Sequence, residues 1–499
     1  MHAGLLLEMA ADGLGDRIAL GAREQGLSFS TFLSRARAAS EWITQSGAQQ
    51  VVYVGLNSAA FPIALFGAAL AGKPFAPLNY RLSDADLRRI LARTAPSLAV
   101  VDDDLIARVA GVDGVTVARR SDFMTSCANS AAASDSLPVD PEDIAVLLFT
   151  SGTTGEPKAA ILRHRHLTSY VISSVDFMGA AEDEAALISV PPYHIAAVSA
   201  VLTSTYLGRR AVHLEAFTPE EWVRVAREQD ITHAMVVPTM LGRVLDVLER
   251  RGERLPSLQH LSYGGGRMPA ATIARALCLL PKVAFVNAYG LTETSSTVAV
   301  LTPHDHRQAV ASTDERVQRR LGSVGRPLPA IELEIRDSTG SALPPGEEGE
   351  IWVRGEQVSG EYLHQKIART DGWFPTRDHG WIDEAGFLFL GGRLDDVIVR
   401  GGENISPGEI EDILRAHADV ADVAVIGLPD DEGGERIVAV VVSAQPGQQR
   451  PEELRQWVRD RLRSTKTPEH IVYREALPYN ETGKLLRRTL KQELAASTP

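Results

Sequence analysis

The chain is poor in cysteine, with two in 499 residues, Cys127 and Cys278. One widely spaced pair is no disulfide framework, so a reducing compartment is expected, with each thiol free and buried. Basic residues are also in deficit. Lys and Arg number 51 against 64 Asp and Glu, a formal charge of −13. That excludes nucleic acid as the main partner, because a phosphate backbone demands a basic face. Long apolar runs are missing too. The most apolar stretch, Ala59 to Gly72, contains Pro62 and stops at Lys73. It is too short to span a bilayer, so no integral membrane segment is expected, and it reads as a buried helix. The opening MHAGLLLEMAADG has no basic segment ahead of its apolar one. A signal peptide is therefore not expected, and a cytoplasmic protein is. No repeat of fixed period is present. Nor is GxxxxGK[ST], the phosphate loop of P-loop enzymes.

What is present is an ordinary globular composition, 44% apolar and 23% charged. Such a length exceeds one core and calls for two or more domains. Short β-branched runs alternate with Ala/Leu/Arg-rich helical patterns, which places the chain in the α/β class. QQVVYVGL precedes the apolar helix, ITHAMVVP precedes TMLGRVLDVLER, and KVAFVNAYG is a third strand. Residues 121–143 hold few large apolar side chains and read as a loop. Residues 331–355 alternate like a β-hairpin with Gly and Pro turns. After GRLDD the pattern starts afresh: helix SPGEIEDILRAH, strands VADVAVIGL and RIVAVVVSA, helix EELRQWVRDRL. That unit is about 100 residues, a domain's size. The boundary falls at Asp395, giving domains 1–394 and 395–499.

LLFTSGTTGEPKAAIL, from Leu147 to Leu162, follows an apolar run with a Ser/Thr/Gly tract and a lysine. Gly152 and Gly155 permit backbone angles that side chains forbid. The hydroxyls of Thr150, Ser151, Thr153 and Thr154, successive N–H groups and Lys158 can then wrap an anion. Alone, the tract is a surface turn as readily as a loop for nucleotide phosphates.

Four further stretches follow it in order: NAYGLTET (287–294), TRDHGWID (376–383), GGRLDDVIVRGGENISPGEIE (391–411) and NETGKLLR (480–487). Together with TSGTTGEPKA (150–159) they resemble the adenylate-forming superfamily of acyl-CoA synthetases, luciferases and nonribosomal adenylation domains, over essentially the whole chain. The resemblance implies a large N-terminal α/β domain of layered sheets and helices with a distorted β-barrel portion, and a small mobile α+β C-terminal domain. It implies ATP, Mg²⁺ and coenzyme A as the co-substrates and cofactor of an acid–thiol ligase. A carboxylate displaces pyrophosphate from ATP, and a thiol then displaces AMP from the acyl-adenylate.

Residue by residue, the resemblance assigns the tract Thr150, Ser151, Gly152, Thr153, Thr154, Gly155 and Lys158 to the β- and γ-phosphates. Tyr289 would stack on the adenine and Asn287 line its edge, with Ala288, Gly290, Gly265 and Gly266 also in the nucleotide site. Thr292 would meet the α-phosphate, and Glu293, with Thr150, would hold Mg²⁺. Asp378 would take the ribose hydroxyls, helped by Arg393, although Arg377 stands where the family usually has glycine. Asn404 would join the nucleotide site. Lys484 would bridge carboxylate and α-phosphate during adenylation. Asp395 occupies the hinge about which the small domain turns, and Gly401 and Gly402 would then line the pantetheine channel.

The acid is read from PPYHIAAVSA (191–200) and SYGGGRMP (262–269). His194 would flank the acyl pocket and join Lys484 and Glu293 as a catalytic group; a core histidine is the equal alternative. Tyr193-His194 lacks the Asp that amino-acid-activating relatives use to pair an amine. Ala196, Ala197, Ala200 and Gly264 are small walls that suit a medium-chain, aromatic, alicyclic or ring-bearing acid. Arg267, where relatives often have proline, and Arg243 could instead pair a second carboxylate, as in a malonyl-type dicarboxylate–CoA ligase. GGENISPGEIE favours CoA over a carrier protein as acceptor, and no insertion typical of acyl-AMP ligases precedes the small domain. Lys484 and Glu293 disfavour a non-enzymatic adenylate binder. A homodimer is left open.

Overall fold

The computed structural model describes residues 1–130, 138–150, 157–363, 365–369, 371–400, 403–430, 434–445, 447, 449–479 and 485–496. Two large sheets carry the first two thirds of the chain. One has eight strands and includes the parallel set Gln50–Val54, Phe75–Pro77, Ser97–Val101 and Val115–Arg119. The other has nine and runs through Ala185–Ile188, His233–Val236, His260–Gly264 and Ala284–Leu291. Strands covered on both faces favour continuous Val, Ile and Leu, and QVVYV and SLAVV obey that rule. The helix Ala60–Leu70 is apolar on every side, and each of its residues is buried, as its sequence requires. No helix among the described residues is long and apolar enough to cross a membrane.

Between residues 332 and 393 the chain forms a four-stranded antiparallel sheet. Its first pair, Glu332–Arg336 and Gly349–Arg354, is the hairpin read from the alternation. Beyond it, Val420–Pro429 and Glu435–Ser443 pair antiparallel, and His470–Tyr473 adds a parallel edge. The helices Pro407–Arg415 and Pro451–Arg459 pack over this sheet. Two apolar clusters there draw only on residues after 397, so this end has cores of its own.

Two expectations need correction. Residues 121–143 are not simply a loop, because Arg120–Asn129 is a helix. Phe123 and Cys127, one turn apart, are buried, and Phe123 stacks on Trp42. Two anchors at helical spacing suffice where polar neighbours face water. Cys278 is exposed, not buried, while Cys127 is buried as expected.

The fold also buries imidazoles. Ala3 N–H donates to His164 Nδ1 and Arg163 N–H to His166 Nδ1, each at 3.1 Å. Burial pushes His164 from its ordinary 6.5 down to about 4 and His166 to about 3. The folded values lie below the unfolded one, so the unfolded chain binds protons more readily. The stabilisation is therefore complete above about pH 6.5 and is lost as pH falls toward 4. At pH 5 the loss approaches about 2 kcal/mol per ring. The thermal midpoint should fall between pH 7 and pH 5, and His166→Asn, which keeps an acceptor but cannot titrate, should shrink the fall. An undiminished fall in that variant would remove His166 from the account.

Candidate active site

Strand Ala284–Leu291 forms the spine of the site. It lies between the parallel His260–Gly264 and the antiparallel Ser296–Leu301. Asn287 Nδ2 donates to the Ser323 carbonyl at 3.0 Å, which fixes the strand's flank. The approach is close enough to demand glycine twice. A Cβ on Gly264 would stand 2.2 Å from the Ala288 carbonyl oxygen, and one on Gly290 1.8 Å from that of Ser296.

Strand Phe374–Ile382 brings Asp378 beneath Tyr289. The Tyr289 O–H donates to Asp378 Oδ2 at 2.7 Å, and Arg393 Nε lies 3.0 Å from Oδ1. Asp378 and Arg393 are direct cross-strand partners, so the register of Leu388–Arg393 sets their pairing. The Thr376 hydroxyl accepts the Asp378 N–H at 3.1 Å, and its carbonyl accepts Arg393 Nη1 at 3.0 Å. Burial, and then the Asp378 carboxylate, hold the Tyr289 phenol well above its ordinary value. It stays a donor.

After the spine the chain makes a one-turn 3₁₀ helix, Thr292–Thr294. Thr294 Oγ1 accepts from Leu291 N at 3.0 Å and donates to the Ser296 carbonyl at 2.7 Å. Ser295 and Ser296 follow with φ of +57° and +120°. A serine at +120° persists only where surroundings over-determine it. They do so here. Ser295 Oγ donates to the Gln357 carbonyl at 2.9 Å, and Gln357 Nε2 donates back to the carbonyls of Thr294 and Thr297 at 3.0 and 2.7 Å. This corner leaves Thr292 and Glu293 half-buried.

Strand Ile144–Thr150 pairs with Lys158–Arg163, Thr150 opposite Lys158. Ser151, Gly152, Thr153, Thr154 and Gly155 lie outside the described residues, as do Gly401, Gly402 and Lys484. Asn404 is described by its backbone, paired with Val399. Lys158 Nζ sits 5.7 Å from the centroid of Tyr362, whose O–H donates to Glu293 Oε1. Tyr362 thus joins two residues singled out from the sequence, although no motif reading pointed to it.

A predominantly apolar cavity opens beside the spine. Val190, Ile195, Ala196, Met235, Val237 and Met240 wall it, with His194 at its rim and Gly265, Ala288, Gly290 and Ser296 on the spine side. His194 caps the helix Ile195–Leu207, its Nδ1 accepting the Ala196 N–H at 3.3 Å. Four residues expected in the pocket lie elsewhere. Ala197 is fully buried in the core behind the helix and Ala200 packs against that core, because only the first turn's other face meets the cavity. Gly264 abuts the Ala288 backbone. Arg267 turns away to pair with Asp412 on helix Pro407–Arg415. Arg243 is exposed, its guanidinium 5.5 Å from the Phe217 ring centroid, outside the cavity. Neither arginine is placed for a second carboxylate.

Arg377 has φ of +59°, the left-handed region that explains the family's usual glycine there. Its guanidinium reaches Asp395 Oδ1 at 2.6 Å. Both arginines that depart from the expected motifs therefore face the seam with the C-terminal segment.

The chain is similar to known proteins along most of its length. The family described as AMP-binding enzyme matches residues 7–363, and AMP-binding enzyme C-terminal domain matches 409–484. The chain is 32% identical to the fatty acid–[acyl-carrier-protein] ligase ScoC of Streptomyces coeruleorubidus, over 89% of this chain and 86% of that one. It is 31% identical to the 2-succinylbenzoate–CoA ligase of Bacillus licheniformis, over 97% and 98%. Among solved structures it is similar to the o-succinylbenzoate CoA synthetase of Bacillus subtilis in complex with ATP and magnesium ion, with a TM-score of 0.83, 28% identity, and 97% and 99% of the two chains covered. These matches span nearly the whole sequence, and the chain belongs to the AMP-binding enzyme family, in the acyl-CoA synthetase branch of the adenylate-forming superfamily.

Proposed function

We propose that this enzyme uses ATP to activate a ring-bearing carboxylic acid and transfers the acyl group to coenzyme A. One observation carries the reading: the apolar cavity and Tyr289, which donates to Asp378, share a single strand, so acid and nucleotide beds would have a common wall at Ala288 and Gly290. A carboxylate in the cavity would reach the α-phosphorus at that wall. Its oxygen forms the new P–O bond while the bond to pyrophosphate breaks. In the second step the CoA sulfur bonds to the acyl carbon, AMP leaves with the bonding pair, and the thiol proton is released.

Catalysis is then largely orientation and charge neutralisation. Asp378 would accept the ribose hydroxyls on the lone pairs that Tyr289 and Arg393 leave. Thr150, Lys158 and the tract 151–155 would hold the outer phosphates, Thr292 the α-phosphate, and Lys484 would reach the reacting oxygens. Glu293 and the Thr150 hydroxyl are hard oxygen donors, which suits Mg²⁺, and bound Mg²⁺ would neutralise phosphate charge. Asp395 would be the hinge between domains 1–394 and 395–499, with Gly401 and Gly402 beside the thiol arm.

The walls support the acid class. Met235 and Met240 offer adaptable thioethers that pack well on ring edges, and His194 supplies a polar rim. The 2-succinylbenzoate and feruloyl substrates named for relatives are aromatic acids. The test is pyrophosphate release across short, long, aromatic, alicyclic and dicarboxylic acids, with CoA or a carrier protein as acceptor. Aromatic or alicyclic acids should lead, and acyl-CoA should form. Adenylate that passes only to a carrier protein would overturn the CoA assignment. Ala196→Phe should lower kcat/KM for ring acids about 10-fold or more while sparing short ones, since a filled cavity does not readily relax.

A further inference from the structure

Tyr362 stands where the strand Glu361–Tyr362 crosses the end of the phosphate-loop hairpin. It pairs with Ala160, and the Leu363 N–H donates to the Ala159 carbonyl at 2.9 Å. The same segment grips the turn carrying Glu293 from its other side. Ser359 and Gly360 N–H groups donate to the Glu293 carbonyl at 2.9 and 3.2 Å. The backbone of Glu293 and the backbone beside Lys158 are therefore tied to one short strand. Its side chain then touches both of theirs. The phenol donates to Glu293 Oε1, and the ring lies 5.7 Å from Lys158 Nζ.

Both contacts use this residue type fully. A phenol next to a carboxylate donates a charge-assisted hydrogen bond and removes rotamer freedom from the glutamate. One carboxylate oxygen is thereby held, and Oε2 is left to point elsewhere. The ring face attracts an ammonium without neutralising it, so Lys158 keeps its full charge for an anion. Burial, and then Glu293, hold the phenol far above its ordinary value, so it does not compete as a base.

We propose that Tyr362 is a positioning residue for the nucleotide's phosphates: it sets the Glu293 carboxylate for the divalent cation and the Lys158 ammonium for the phosphate oxygens. The proposal rests on the reading of Glu293 and Lys158 given above. It makes Tyr362 the link that forms both halves of the phosphate site together.

The test is ATP binding by calorimetry on the full chain across a Mg²⁺ series, with the nucleotide-free thermal midpoint as a second readout. Tyr362→Phe keeps the ring and loses the hydrogen bond. The Mg²⁺ concentration for half-maximal ATP binding should rise about 10-fold or more, the scale for losing a partner of a metal-binding carboxylate. ATP binding without Mg²⁺ should stay within about twofold, since the lysine contact survives. Tyr362→Leu should weaken Mg²⁺-free binding as well. A Tyr362→Phe variant with the parent's Mg²⁺ requirement overturns the proposal, even with a lowered midpoint, because that is what a purely structural tyrosine would give. If the unsubstituted protein binds ATP without regard to Mg²⁺, the reading of Glu293 itself falls, and this proposal falls with it.

Discussion

Lys484→Ala should slow acyl-adenylate formation about 10²–10³-fold, roughly 3–4 kcal/mol, the scale of one preorganised group that stabilises developing charge. Thioester formation from supplied acyl-adenylate should be nearly unchanged. The asymmetry follows if one small domain presents different faces in turn, because Lys484 lies in that domain's sequence and would leave the site before the thiol arrives. Gly402→Leu should show the mirror image, since a side chain there would fill a channel sized for a thin thiol arm. Single-turnover rates of the two half-reactions in each variant decide the matter. Equal losses in both steps for both variants would mean one static site. The contacts at the seam bear on the same motion. Arg377 with Asp395 and Arg267 with Asp412 are exposed ion pairs that cost little to break, so they would not resist such a turn of the small domain.

Much of the candidate site was legible from sequence because its residues lie in local motifs. Tyr289, Glu293, Asp378 and Arg393 each sit in a short stretch whose spacing survives without reference to the rest of the chain. What local reading cannot supply is the register between stretches. Nothing in NAYGLTET says that its tyrosine donates to the aspartate 89 positions on. That bond depends on how the four-stranded sheet packs against the nine-stranded one, whose strands do not pair with it. Tyr362 was missed for the same reason: its only signal is a cross-strand partner at Ala160 and a glutamate 69 residues back. The strained Ser295–Ser296 corner was equally hidden, since serine is no mark of a positive φ. By contrast, the helix Arg120–Asn129 left a readable trace in Phe123 and Cys127 at i and i+4. Its polar neighbours masked that trace.

The Arg267 reading failed more instructively. From sequence, a guanidinium after three glycines could as well enter an acyl pocket as leave it. Glycine supplies no wall to steer the side chain, so the choice passes to whatever anion lies nearest. Here that anion is Asp412, 145 residues away. Pocket chemistry inferred from a glycine-rich loop therefore depends on what packs beside that loop. The withdrawal of Arg267 and Arg243 leaves an apolar cavity whose polar side chains are His194, Ser296 and Thr297, with no guanidinium among its described lining.

Asp378→Asn should weaken ATP binding about 10- to 100-fold, the value of one charge-assisted hydrogen bond in a buried site. The native carboxylate is an acceptor at both oxygens, with Tyr289 donating to one and Arg393 beside the other. An amide has one acceptor oxygen and one donating nitrogen. If its NH₂ meets the Arg393 guanidinium, a donor faces a donor; if it meets the Tyr289 hydroxyl, the phenol must turn from donor to acceptor. If the oxygen keeps Arg393, the Tyr289 hydroxyl accepts from the amide and its own proton loses the Asp378 acceptor. If it keeps Tyr289, a half-buried guanidinium loses its counter-charge, and the ribose loses an anionic acceptor in either case. Calorimetric titration with ATP separates this from a merely structural effect, because the thermal midpoint should fall as well. The two losses need not track one another. Arg393→Lys retains the charge and sacrifices the planar fork, so it should recover much of the midpoint and little of the affinity. Should Asp378→Asn bind ATP as tightly as the parent while melting earlier, Asp378 would be a strut for Tyr289 and not a ribose ligand.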